Sequence, residues 1–131
     1  HAYHATLPTD GLRQLVTAMH EAEVYGFERL KAQQLALGER VRALLESQGY
    51  ASVAAPGFQA PCVVVSYTAD PDIHNGKKFM ATGLQIAAGV PLQIDEPADF
   101  RSFRIGLFGL DKLQNVERTL ASLADSLRQL A

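Results

Sequence analysis

A chain of 131 residues with 47% hydrophobic and 20% charged side chains has the size and make-up of one globular domain with a core. Its net charge of −2 carries no electrostatic footprint for nucleic acid, although a local basic patch is not excluded by it. No apolar run approaches the roughly 18 residues that cross a bilayer, His1-Ala2-Tyr3-His4 does not read as a signal peptide, and Cys62, the single cysteine, excludes an internal disulfide, so a cytoplasmic setting without a membrane partner is expected.

In chain order, Pro8-Thr9-Asp10 announces the first helix, with Thr9 or Asp10 as its cap. Leu12, Leu15, Val16, Met19 and Val24 follow at helical spacing, and Tyr25-Gly26 predicts a bend. Phe27, Leu30, Gln34, Leu37, Val41 and Leu44 then recur every three or four residues. Glu28, Arg29, Glu39, Arg40 and Arg42 fall mostly on the other face, which predicts a long amphipathic helix ended by Gly49. After the Ala55-Pro56-Gly57 loop, residues 62–68 are rich in β-branched side chains and predict a strand. Asp70-Pro71-Asp72 reads as a turn and helix start. Ile73, Lys77, Met80, Leu84 and Ala87 extend that helix towards Gly89. Val90-Pro91-Leu92-Gln93-Ile94 reads as a short edge strand, because Pro91 has no N–H for a ladder. Residues 102–108 predict another strand. Leu113, Val116, Leu120, Leu123, Leu127 and Leu130 mark a last helix, with Asp111 and Asn115 as rival caps. The order predicts an α+β domain: a small, mainly antiparallel sheet with helices packed on one face, where all the apolar stripes can be buried. The leading helical segment spans 1–26 and the compact domain 27–131.

Spacing alone offers little chemistry. His1, His4, His20 and His74 form no metal-binding motif, and with Cys62 solitary no zinc site is expected. No Gly-x-Ser-x-Gly elbow exists, and residues 106–109 lack the glycine pattern of a phosphate-binding loop. Cys62 reads as a small structural residue beside a strand rather than a nucleophile. Lys77 and Lys78 read as a solvated helix face. Arg104 differs from these. In an alternating strand Phe103, Ile105 and Leu107 share one face, and Arg104, Gly106 and Phe108 share the other. A guanidinium among apolar residues and glycine suits a carboxylate held by two parallel hydrogen bonds, with Gly106 leaving room for the ligand. The competing reading is an edge-strand arginine paired with an acidic neighbour.

Two passages bear on that choice. Tyr3-His4-Ala5-Thr6-Leu7-Pro8-Thr9, followed by a long helix, resembles the Tyr-His-x-Thr-x-Pro passage of class V pyridoxal-phosphate-dependent aminotransferases. About 100 residues on, Phe103-Arg104-Ile105-Gly106-Leu107-Phe108-Gly109 resembles their Arg-Ile-Gly-x-x-Gly passage. The long stretch 28–50 fits a helix leading into their small domain. The chain is thus similar to the C-terminal small domain of this family, most of all to alanine–glyoxylate and serine–glyoxylate aminotransferases, over nearly its whole length.

The resemblance implies roles. Arg104 would bind the substrate carboxylate. Tyr3 and Thr6 would reach the phosphate of pyridoxal 5'-phosphate in a neighbouring subunit of a homodimer, and His4 would orient or pack. It implies transfer of an amino group from a small amino acid to a 2-oxo acid such as glyoxylate or pyruvate. It also implies that the Schiff-base lysine and the pyridinium-pairing aspartate lie in a preceding large domain, since Lys31, Lys77, Lys78 and Lys112 do not match the family's lysine position. The chain is therefore expected to be part of a longer enzyme and inactive by itself. Cysteine desulfurases share the family, but Cys62 lies too early for their mobile cysteine. Kynureninase-like and epimerase-like relatives stay open. A rival of another class is a stand-alone, non-enzymatic domain for small-ligand binding or subunit pairing, with Arg104 as an anion anchor.

Overall fold

The computed structural model describes residues 6–130. Two helices lead, α1 (Thr9–Tyr25) and α2 (Phe27–Ser47), separated where the sequence places its bend, at Gly26. Neither Thr9 nor Asp10 caps α1. Pro8 holds the cap position with no side-chain hydrogen bond, and both residues lie inside the first turn. The Asp10 carboxylate there favours the positive end of the helix dipole without capping it. α2 ends as expected: Gly49 has φ 86°, the Gly49 N–H donates to Glu46 O and the Tyr50 N–H to Leu45 O, both at 3.0 Å. This is a Schellman closure, which satisfies carbonyls that the helix leaves open.

The sheet has three antiparallel strands, β1 (Val63–Tyr67), β2 (Ala87–Ala88) and β3 (Ser102–Gly106), in the order β1-β3-β2. The register sets Val65 opposite Arg104 on one side and Ala87 opposite Arg104 on the other, so β3 is the central strand. Between strands lie α3 (Pro71–His74) and α4 (Lys77–Ala81); after β3 come α5 (Leu110–Gln114) and α6 (Val116–Leu130). Val64, Ser66, Phe103 and Ile105 are buried on one face, in a core completed by Leu37, Val41 and Leu45 of α2, Phe79 of α4, Leu113 of α5 and Leu120, Leu123 and Leu127 of α6. Phe103 sits at its centre, edge-on to Tyr50 at 5.3 Å and tilted against Phe79 at 5.5 Å. The architecture is the expected α+β one, with the core between one sheet face and the helices.

Four local expectations are corrected. The helix read from Ile73 to Ala87 is two short helices. Asp70 caps α3 through Asp72 and Ile73 N–H groups, Gly76 (φ 82°) interrupts, and Phe79 rather than the exposed Met80 enters the core. The edge strand is not at 90–94 but at Ala87–Ala88. Residues 90–96 form a loop in which the Glu96 carboxylate accepts the N–H groups of Leu92, Gln93 and Ile94 at 2.6, 2.9 and 2.8 Å. Gln93 and Asp95 both have φ 61°, a left-handed conformation that breaks the alternation a strand needs. The last helix is divided at Asn115. The cap position of α5 is Gly109, Asp111 lies in its first turn bound by Arg118, and the Asn115 side chain donates back to Asp111 O.

The fourth correction is Arg42, expected on the outer face of α2 but 8% exposed. Segment 60–61 crosses the helix there. Gln34 Nε2 donates to Pro61 O at 3.0 Å, Arg42 Nη2 to Ala60 O at 3.0 Å, and a Cβ on Gly38 would lie 2.4 Å from Pro61 O. Gln34, Gly38 and Arg42, four residues apart, thus form a second packed stripe, half-buried at Gln34 and buried at Gly38 and Arg42, of which the charge of Arg42 alone reads as solvent-facing.

Candidate functional site: an arginine on the open face of the sheet

Alternation along β3 sends Phe103 and Ile105 into the core and Arg104 to the opposite face, as the sequence predicts. No described helix buries that face as α2, α4 and α6 bury the other. Val63 and Val65 there are half-buried, and Tyr67, edge-on to Phe100 at 5.8 Å, is exposed. Arg104 is half-buried on the middle strand, between Val65 and Ala87. Partial burial between apolar cross-strand neighbours is an arrangement that long cationic side chains favour.

The competing reading of an edge arginine paired with an acidic neighbour finds no support among the described residues. Arg104 is on the central strand, and its one side-chain hydrogen bond among the described residues runs from Nε to the Ala88 carbonyl at 2.9 Å. No carboxylate lies within ion-pair distance of it among the described residues, which holds also for Arg13, Arg29, Arg42 and Arg101, whereas Arg40, Arg118 and Arg128 are paired with Glu117, Asp111 and Asp125. Nη1 and Nη2 have no acceptor among the described residues, which leaves their donors for a further one. A carboxylate suits that pair, because its two oxygens match the spacing of two parallel N–H groups. Gly106, two residues along, is exposed, but the Phe108 ring takes part of the room it leaves: a Cβ on Gly106 would meet that ring at 3.4 Å.

The remaining expected site residues are less informative. Tyr3 and His4 lie outside the described residues. Thr6 is exposed in the segment before α1, and no hydrogen bond joins it to Arg104. The resemblance assigns Tyr3 and Thr6 to a neighbouring subunit, so separation from Arg104 within one chain does not count against their roles. Cys62 is half-buried just before β1, and its carbonyl accepts the Leu107 N–H at 2.9 Å, a sheet-edge role.

The described residues do not fit pyridoxal phosphate as a covalently held group. A Schiff-base lysine must lose its proton easily, as desolvation allows. Lys31 and Lys77 are exposed, and Lys112 Nζ donates to Phe108 O. Lys78 is bonded to Asp70 at 2.6 Å, which holds its ammonium form and raises its pKa. No group of three metal-ligating side chains occurs among the described residues, and no helix among them is long and apolar enough to cross a membrane.

Three features beside Arg104 carry no functional signal in the sequence: the Ala88 carbonyl that its Nε meets, Gly89, whose N–H donates to His74 O, and His74, whose ring lies at Ser102 O. By helical spacing the run Ala87-Ala88-Gly89 reads as the end of a helix, although a glycine also marks close approach of a neighbouring backbone. The chain matches no family model and no curated protein, so the geometry and the two sequence passages carry the functional reading together.

Proposed function

We propose that this chain is the C-terminal small domain of a class V pyridoxal-phosphate-dependent aminotransferase, in which Arg104 binds the carboxylate of a small amino acid and of the 2-oxo acid it becomes. The observation that carries the reading is the placement of Arg104: on the central strand, on the face away from the core, with no acidic partner among the described residues and both Nη groups available. The Tyr3 to Thr9 and Phe103 to Gly109 passages add their support. The lysine that holds the cofactor covalently would lie in a part of the enzyme other than the described residues, with Thr6 and Tyr3 assigned to the cofactor phosphate. A homodimer and a cytoplasmic setting belong to the same proposal.

What this chain contributes is orientation. A carboxylate gripped by two N–H donors on a sheet strand has its Cα direction fixed, which removes rotational freedom before reaction. In an enzyme containing this domain, Arg104→Ala raises the amino-acid KM and lowers kcat/KM by the equivalent of about 2–5 kcal/mol, the cost of truncating one partner of a charged hydrogen-bonded pair. Steady-state kinetics with the donor varied test this, and an unchanged kcat/KM removes Arg104 from the site. For the isolated chain, titration with pyridoxal phosphate yields only scattered surface lysine adducts. A saturable adduct on one lysine, located by peptide mass mapping, overturns the division of labour proposed.

A further inference from the structure

The Arg104 side chain is held by an edge strand only two residues long, and that strand is pinned from outside the sheet. β2 pairs with β3 only at Ala87 and Ala88, too short a ladder to be stable unaided. Directly after it, the Gly89 N–H donates to His74 O at 3.1 Å. The His74 ring closes the same corner: its Nδ1 lies 2.7 Å from Ser102 O, at the start of β3. A carbonyl only accepts, so Nδ1 carries the proton. Gly89 fits because it has no side chain; a Cβ would lie 2.0 Å from Ser102 O and 2.7 Å from His74 Nδ1. α3, capped by Asp70, presents His74 to this corner from its last turn.

We propose that His74 and Gly89 are positioning residues for Arg104: they clamp Ala87–Ala88 against β3 so that the Ala88 carbonyl occupies Nε, leaving Nη1 and Nη2 to receive a carboxylate end-on. The carboxylate half of this rests on the function proposed above; the positioning half does not. With Nε engaged, the side-on grip through Nε and one Nη is closed, and the end of the guanidinium is the face on offer.

NMR of this chain tests both halves, with acetate as the probe. In the unaltered chain the Arg104 Nε–H exchanges slowly with water, and acetate moves the Nη resonances while Nε–H keeps its shift. His74→Phe keeps the ring bulk but loses the donor, and the Nε–H then exchanges about tenfold faster in a chain whose core amides stay protected. His74→Asn, which restores an N–H near the Nδ1 position, recovers the slow exchange. Gly89→Ala gives the same loss as His74→Phe. Unchanged Nε–H protection in His74→Phe overturns the positioning role, as does fast exchange in the unaltered chain. Acetate that moves Nε–H but neither Nη overturns the end-on grip. Acetate that moves nothing while the His74 dependence holds upholds the positioning and overturns the carboxylate reading.

Discussion

A carboxylate can organise backbone as firmly as a ladder does, and Glu96 is the instance here. Its oxygens accept the N–H groups of Leu92, Gln93 and Ile94, and the bond from Ile94 foremost, then those from Gln93 and from its own backbone N–H, with a smaller part from Leu92, bring its pKa from 4.5 to about 2. A folded-state pKa below the unfolded one means stabilisation that is complete above the unfolded value and is lost as pH falls through the folded one. The loop is therefore expected to stay closed throughout the ordinary acid range and to open only near pH 2. The Glu96 carboxyl carbon and the amides of residues 92–94, followed by NMR, check this; a midpoint near 4.5 means the bonds do not persist in solution. Asp70 obeys the same sign. The Lys78 hydrogen bond first and the Asp72 N–H second lower its pKa, so its capping of α3 outlasts mild acid. Asp70→Ala removes the acceptor for Lys78 and for the Asp72 and Ile73 N–H groups, and circular-dichroism melting is expected to show a lower Tm.

At the scale of elements, α2 does two jobs on two faces. Leu37, Val41 and Leu45 are fully buried against the sheet and α6, while Gln34, Gly38 and Arg42 meet segment 60–61. The second contact leaves no space: a Cβ at Gly38 would overlap backbone atoms of Pro61, at 2.4 to 2.9 Å. Gly38→Ala, which would raise helix propensity on a free surface, is expected here to destabilise by about 1–3 kcal/mol, the usual cost of overpacking. Urea unfolding measures it, and a gain in stability would show that the segment yields easily. For comparison, Phe103→Ala, which empties the middle of the core between Tyr50 and Phe79, is expected to cost about 3–5 kcal/mol.

Over the whole molecule, the most conspicuous imbalance is α1. Its apolar residues follow a helical period, yet the helix has no buried residue. Leu15 is 54% exposed and Met19 59%, and with Val16, Ala22 and Phe27 they line an apolar groove. Together with the uncovered face of the sheet, this agrees with a domain that packs against further protein, as the aminotransferase proposal requires. The dilute chain is expected to bind an apolar dye, and Leu15→Glu with Met19→Glu to abolish much of that binding while the melting temperature stays unchanged. A lower melting temperature in the double variant would mean that the α1 face supports the fold itself.

Sequence alone determined what depends on short-range periodicity and on local backbone chemistry. The amphipathic face of α2, the break at Gly26, the closure at Gly49, the Asp70-Pro71 helix start, the two long strands and the orientation of Arg104 all follow from spacings of two, three or four residues along one segment. Tertiary structure decided whatever depends on a partner distant in the chain. Arg42 is buried because segment 60–61 crosses it, α1 stays exposed because no described element covers its stripe, and Ala87–Ala88 is a strand only because β3 offers it a ladder and His74 holds it there. The same distinction divides the site. That residue 104 turns away from the core could be read from alternation, but the contact directing its guanidinium, the Ala88 carbonyl sixteen residues earlier, belongs to a backbone group that carries no sequence signature.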